Sequence, residues 1–373
     1  MIERISKFSG RLALQQRVLP SYRTGFFDAL AAACCGGLSV FAGQPHPGEQ
    51  IAAGARLDVA HYFPAQNHHF LAVSSPFYRC WQDGLIDWLN GWQPDALIVE
   101  ANPRYPSTRQ AVRWMHDRGH PVLGWGLGAP PVLGLMASWR RWTRLRFLRS
   151  LDGLIAYSRR GAEEYRSLGV LPERIFIAPN AVAPPPTQPP PDRPTSFLSQ
   201  PVLLFVGRLQ ARKRIDNLLR ACAALPLSLQ PCLWVVGDGP ARKDFEVLAE
   251  KIYPGTEFFG ARYGKELEEF FKSADLFVLP GTGGLAIQQA MSFGLPVIVA
   301  EGDGTQDDLV RPQNGWRIPA NDLHALTEAL QDALIHPVHL RSMGKESYRI
   351  VAEETNLDAM VRVFLEALAS VCH

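Results

Sequence analysis

One stretch, residues 274–300, constrains the fold more than any other. Asp275-Leu276-Phe277-Val278-Leu279 is a short apolar run closed by Pro280, which predicts a buried strand. Gly281-Thr282-Gly283-Gly284 turns the chain, and residues 285–293 have helical composition. Gly294 stands where a helix ends, Pro296 keeps it ended, and Val297–Ala300 is the next buried strand. A strand, glycine turn, helix and strand in this order call for a right-handed parallel crossover. That unit places a helix N-terminus, with unpaired N–H groups, at the carboxyl end of a strand, where open α/β sheets bind ligands. With no side chains at Gly283 and Gly284, a phosphate oxygen can approach the backbone.

The same rhythm runs through the chain. In the first half, strands are predicted at 12–18, 38–41, 70–73, 96–99, 121–125 and 153–157. Helical stretches alternate with them at 25–30, 81–89, 107–118 and 160–168, an α/β layer domain with a mostly parallel sheet. Residues 183–201 break the pattern with Pro184-Pro185-Pro186, Pro189-Pro190-Pro191 and Pro194. They read as a semi-rigid extended linker, with a proline-rich recognition motif as the sharper alternative. The pattern then restarts with strands at 202–206, 233–236 and 257–259 and helices at 215–225, 240–250 and 265–272. The segment Leu357–Val371 is an amphipathic helix whose Leu357, Met360, Val361, Phe364, Leu368 and Val371 share one face that needs a surface to cover.

A chain of 373 residues is long enough for two cores. Its 47% hydrophobic and 20% charged residues are those of a soluble globular protein, and a net charge of +2 gives no bulk attraction for nucleic acid. The six cysteines form no CxxC pair and read as reduced thiols of a cytoplasmic protein. No signal peptide is expected, because residues 1–14 have no long apolar core and no small-residue cleavage site, and no membrane span, because the most apolar run, 29–42, is split by Gly36-Gly37. His116 and His120 have helical metal spacing, but Gly119 intervenes and no third ligand is visible, so no metal site is expected.

Three loops follow strands of the second half: 207–213, 237–239 and 281–284. Arg208 and Lys213 flank a turn into a helix, where two cations suit a diphosphate leaving group. The bland alternative is that both are solvated charges at a helix start.

These residues carry a resemblance. Phe205-Val206-Gly207-Arg208-Leu209, Lys213-Arg214-Ile215-Asp216, Val236-Gly237-Asp238-Gly239-Pro240, Phe259-Gly260, Ala274 to Pro280, Gln289 to Ile298 and Asn314-Gly315 resemble, in order and spacing, the family-4 retaining glycosyltransferases of the GT-B fold. The match runs from about Ile155 to the C-terminus and includes Ile177 to Val182; the N-terminal half shares only the α/β rhythm. The resemblance implies two Rossmann-like domains with parallel sheets facing a central cleft. Expected boundaries are 1–182 for an acceptor-binding domain, 183–200 for the linker and 201–354 for a donor-binding domain, with 355–373 crossing back onto the first domain. It also implies a nucleotide-diphosphate sugar as donor substrate, no other cofactor, no required metal, and transfer with retention to a glycan or glycolipid hydroxyl. Gly207, Arg208, Lys213, Arg262, Thr282, Gly283, Gly284, Leu285 and Gln289 are then the donor-binding candidates, with Arg208 and Lys213 stabilising the leaving diphosphate.

There are departures. The family's Glu-x7-Glu pattern ends here on Gln289, which can still hydrogen-bond ribose hydroxyls, and the position eight earlier is Gly281, with no side chain. Glu301, Asp303 and Asp307 are candidate substitutes, or a solvated acidic loop. The family's first-domain histidine is also not evident, since Trp125-Gly126-Leu127-Gly128 stands there. The lost acids leave two rival readings, a catalytically weakened scaffold that binds nucleotide sugar or glycan, and a nucleotide-sugar epimerase.

On the acceptor side, strand ends of the first half offer Tyr22, Arg23, Glu100, Asn102, Arg104 and Trp125, with Glu100 as a base or an orienting group; each could equally be a cap or surface pair. The segment 135–149 is basic and aromatic: Leu135, Trp139, Trp142 and Leu145 can share a helix face, with Arg140, Arg141 and Arg144 off it. Such a helix suits peripheral contact with the inner face of an anionic cytoplasmic membrane, or packs its aromatics on the first domain.

Overall fold

The computed structural model describes residues 7–372 except 47, 48, 50–52, 55, 74, 133, 135, 198, 284 and 303. Leu135, Gly284 and Asp303, named above, lie outside the described residues. The chain divides into two units, Met1–Pro184 with Leu357–His373, and Pro185–Asn356.

The first unit holds eight strands: β1 (Leu12–Val18), β2 (Leu38–Gly43), β3 (His61–Phe70), β4 (Arg79–Asp83), β5 (Ala96–Glu100), β6 (Val122–Gly126), β7 (Gly153–Ala156) and β8 (Ile175–Ile177). Their order across the sheet is β4-β3-β2-β1-β5-β6-β7-β8. All neighbours are parallel except β3 and β4. Strand order reverses at β1, which pairs with β2 on one side and β5 on the other.

Two expectations fail on the side of β3 and β4. The strand expected at 70–73 lies earlier, because Leu71 at φ 66 turns the chain after Phe70. The helix expected from Trp81 begins only at Leu85: residues 81–83 pair with β3, and Gly84 at φ 76 makes the turn. The half-exposed β3 carries no continuous apolar run, and Pro64 is tolerated in it.

A polar network replaces apolar packing here. Gln15 on β1 is fully buried and bonds Gln82 on β4, and Gln82 Nε2 also donates to the Gln16 main-chain oxygen at 3.1 Å and to Asn67 Oδ1 at 3.0 Å. Satisfied buried amides of this kind impose a register that apolar contacts would leave loose.

The helix Leu357–Val371 completes the core of the first unit. Phe364 stands 4.8 Å from Phe26 and 5.0 Å edge-on from Trp125, ring centre to ring centre, and Met360, Val361, Leu365 and Leu368 are buried with it.

The second unit holds β9 (Val202–Val206), β10 (Cys232–Val236), β11 (Thr256–Gly260), β12 (Leu276–Leu279), β13 (Val297–Ala300) and β14 (Gly315–Ile318). All pairs are parallel in the order β11-β10-β9-β12-β13-β14, the doubly wound arrangement whose direction reverses between β9 and β12. Strand β14 and the helices Thr305–Leu309, Leu323–Ile335 and Pro337–Arg349 were not expected.

Nor is the proline-rich stretch a free spacer. Arg193 donates to the carbonyls of Phe271 and Phe293 at 2.8 Å each and of Ala274 at 2.9 Å, capping the ends of the helices Gly264–Ser273 and Leu285–Ser292. Arg341 and Tyr348 hold Pro194 and Gln188 by their carbonyls, at 2.8 and 3.0 Å. No helix among the described residues is long and apolar enough to cross a membrane.

Candidate functional site

In the second unit, the loops after β9 and β12 meet where the sheet order reverses. The loop after β9 ends in a short turn, Ala211–Lys213, followed by Arg214 at φ 56, whose guanidinium grips both Asp216 oxygens at 3.0 Å. Three bonds tie this turn to Thr282. Thr282 N–H donates to the Arg212 carbonyl at 3.2 Å, Arg212 donates to Thr282 Oγ1 at 3.1 Å, and Lys213 Nζ donates to the Thr282 carbonyl at 2.6 Å. Lys213 is 9% exposed, and burial, with Arg212 adding, pushes its ammonium down to about 8. Among the described residues the Thr282 carbonyl is the one hydrogen-bond partner of the buried ammonium, which has hydrogens left for an anion.

The glycines of the second loop answer to contacts. A Cβ on Gly281 would stand 2.3 Å from the Arg212 carbonyl. At the position where an acidic side chain was missed, the 211–213 turn thus fills the space. Gly283, at φ 121, faces Lys213, and a Cβ there would reach its ammonium at 2.1 Å. Behind it, Gln306 is 2% exposed and its Nε2 donates to the Gly283 carbonyl.

In the first unit, the carboxyl ends of β1, β5, β6 and β7 enclose a cavity of about 710 Å³, the volume of a site for a ligand of moderate size. All six acceptor-side candidates, Tyr22, Arg23, Glu100, Asn102, Arg104 and Trp125, line it. Glu100 accepts the Arg17 N–H at 2.6 Å, and burial raises its carboxyl against the opposing pull of Arg17. Arg23, 5% exposed, lies 4.4 Å from the Trp125 ring centre and 4.9 Å from that of Tyr157. Trp125 is 1% exposed among Phe26, Phe27, Phe364 and Tyr157, so it serves as a floor beneath Arg23 rather than as an open face for a sugar.

Residues 191–350 match the family model for glycosyl transferases group 1.

The chain is 35% identical over 145 residues to a GDP-mannose-dependent alpha-mannosyltransferase of Mycobacterium tuberculosis, covering 38% of this chain and 35% of the relative. It is 34% identical over 121 residues to the sulfoquinovosyl transferase SQD2 of Arabidopsis thaliana, covering 31% and 22%. It is 25% identical over 234 residues to the putative colanic acid biosynthesis glycosyltransferase WcaL of Salmonella typhimurium, covering 59% and 57%. The chain thus spans less than two thirds of each of these curated relatives.

Among solved structures, the lipopolysaccharide outer core galactosyltransferase WaaB superposes with a TM-score of 0.70 at 16% identity, covering 96% of this chain and 99% of that one. Anabaena HepE in complex with UDP-glucose superposes with a TM-score of 0.62 at 15% identity, covering 97% and 100%. Identities this low carry the fold alone: two α/β domains with parallel sheets, as in GT-B glycosyltransferases.

Within the group 1 match, the expected donor residues are placed unevenly. Gly207, Lys213, Thr282, Gly283 and Leu285 belong to the two loops and the helix start at the sheet reversal, with Arg208 exposed beside Gly207 and Gln289 half-buried one turn into the helix Leu285–Ser292. Arg262 instead follows the edge strand β11, two strands from β9, with its guanidinium 3.8 Å from Glu266. Of the substitute acids, Glu301 is exposed and Asp307 lies 3.5 Å from Arg317. Gln306 escaped notice because nothing in Thr305-Gln306-Asp307-Asp308-Leu309 separates a buried amide from a solvated one. Arg79 and Arg109, which line the cavity, stand alone in the sequence.

Proposed function

We propose that this chain is a metal-independent glycosyltransferase that moves a sugar from a nucleotide-diphosphate sugar to a hydroxyl of a glycan or glycolipid, with retention, in the synthesis of cell-surface polysaccharide or glycoconjugate. The observation that supports this most is the joint between the loops after β9 and β12, where the buried Lys213 ammonium backs the opening of the helix Leu285–Ser292. In the proposed step the bond from the anomeric carbon to the diphosphate breaks and its electron pair leaves with the diphosphate. The acceptor oxygen bonds the same face of that carbon, and its proton goes to the departing phosphate oxygen. Lys213, Arg208 and the helix N–H groups balance the charge that develops, in place of a metal ion. Gln289 holds ribose hydroxyls and Arg262 the base side, while Glu100, with Tyr22 and Asn102, orients the acceptor hydroxyl.

The helix Ala137–Arg149 is proposed as a contact with the cytoplasmic face of an anionic membrane. Phe147 and Leu148 anchor it, while Trp139 and Trp142 remain 45% and 55% exposed beside Arg141. Failure to sediment with anionic liposomes at low salt would remove this element.

The test is a thermal-shift panel of nucleoside diphosphates and their sugars, on wild type and on Arg208→Ala with Lys213→Ala. A ligand at about a hundred times its dissociation constant adds roughly 2.7 kcal/mol. Stabilisation by one nucleotide class, lost in the double variant, with turnover insensitive to a chelator and an unchanged anomeric configuration in the product, is the expected result. No shift with any nucleotide at millimolar concentration overturns the reading.

A further inference from the structure

The first-unit cavity is far more cationic than holding a neutral sugar requires. Among the described residues seven arginines line it, and Glu100 is the one acid. Arg17 is already committed, its guanidinium meeting both oxygens of Glu49 at 2.7 Å. Arg79, Arg104, Arg109 and Arg144 make no ion pair among the described residues. They are also crowded. The Arg79 guanidinium is lowered by burial and by its neighbours Arg109, Arg104 and Arg140, and that of Arg144 by burial and by Arg140. Like charges held together in a partly dry site cost stability until an anion joins them.

A second observation points the same way. Among the described residues five buried donors lack any hydrogen-bond partner, and three of them are Gln16 Nε2, Arg23 Nη1 and Trp125 Nε1. All three residues line this cavity. An excess of donors over acceptors, with cations spread around the wall, fits a ligand rich in anionic oxygens. One carboxylate would neutralise one guanidinium; a phosphate ester brings up to two charges and several oxygens for forked donors.

We propose that this cavity takes a phosphorylated sugar as acceptor, its phosphate held among Arg79, Arg104, Arg109 and Arg144 and its free hydroxyl near Glu100. The proposal rests on the acceptor role given to this unit above. It also gives Arg144, on the helix Ala137–Arg149, a place on the cavity wall, where it donates to the Pro130 carbonyl at 2.5 Å. The phosphate could belong to a soluble sugar phosphate or to a lipid headgroup, since both present the same ester.

The experiment is calorimetric titration of the full chain with a hexose 6-phosphate, a hexuronate and the neutral hexose, on wild type and on Arg104→Gln with Arg144→Gln. Nucleoside diphosphate binding is measured on the same samples. The expected result is at least tenfold tighter binding of the hexose phosphate than of the hexuronate, and none of the neutral sugar. The double variant loses at least tenfold toward the phosphate and keeps its nucleotide affinity, which shows that it folds. Co-sedimentation with phosphatidylcholine vesicles, with and without phosphatidylglycerol, separates the sources: competition by hexose phosphate assigns the lipid phosphate to this cavity, and no competition assigns a soluble one. Equal binding of hexuronate and hexose phosphate, or a double variant that binds hexose phosphate normally, overturns the proposal. Nucleotide binding without phosphate discrimination sinks this inference alone, whereas phosphate discrimination without nucleotide binding sinks the donor reading and leaves the cavity's specificity standing.

Discussion

Lys213 Nζ donates to the Thr282 carbonyl across 2.6 Å, so one ammonium joins the two loops at the reversal of the second unit's sheet. That contact gives the site a pH dependence.

Burial holds the Lys213 ammonium down to about 8, against 10.5 for an ordinary lysine. Between those values the unfolded chain binds the additional proton, so unliganded stability rises with pH across that window. Diphosphate affinity has the opposite slope. Above about pH 7 the phosphates are already ionised, so the loss of the lysine charge dominates and affinity falls as pH passes about 8. Calorimetric titration of a nucleoside diphosphate should show this fall, and Lys213→Arg should flatten it, because a guanidinium keeps its charge. A flat wild-type profile across the window would count against Lys213 as a diphosphate ligand.

Gly281→Glu restores an acid at the position where the resembled family carries one, yet should not raise activity. Its Cβ would meet the Arg212 carbonyl, so the 211–213 turn must move and carry Lys213 away from Thr282. We expect a loss of about 1–3 kcal/mol in urea unfolding, as for overpacking, and at least tenfold weaker nucleotide binding. Faster turnover in this variant would show that the turn yields easily.

Arg193→Ala should destabilise the second unit by about 2–4 kcal/mol, since it uncaps two helix ends and empties a half-buried site. Arg193→Lys should recover less than half, because one ammonium cannot reach three carbonyls spread over both helix ends. The readout is chemical unfolding of each variant. A change below about 0.5 kcal/mol for alanine would mean the strap is incidental.

Phe364→Ala should cost the first unit about 3–5 kcal/mol, as for a large aromatic removed from a core. Because Phe364 stands edge-on to Trp125, tryptophan fluorescence reports the change directly. Unchanged emission with unchanged stability would contradict the packing described.

How much of this was legible depends on what the chemistry needed. The crossover at 274–300 was readable because its strands are continuous apolar runs and its turn is glycine-rich. Strand β3 was not, since its half-exposed place next to the edge strand lets His61, Gln66, Asn67 and His68 stand in a strand, and only pairing with β2 and β4 shows it. The loops of the second unit announced themselves through glycine and basic residues. The cavity of the first unit did so only in part: Glu100, Asn102 and Arg104 follow a strand, but Arg79 and Arg109 arrive from separate elements. Gln306 left no trace, because burial of a single amide is decided by what packs around it. Gly281 read as a missing acid, and its contact with the Arg212 carbonyl turns that absence into a matter of space.

The helix Leu357–Val371 fills the core of a unit whose other residues end at Pro184. Translation therefore delivers the whole second unit before it delivers Phe364. On the ribosome the usual order, earlier domain first, is inverted. The second unit can close on its own strands, while the nascent first sheet waits with Phe26 and Trp125 uncovered until the helix carrying Phe364 emerges.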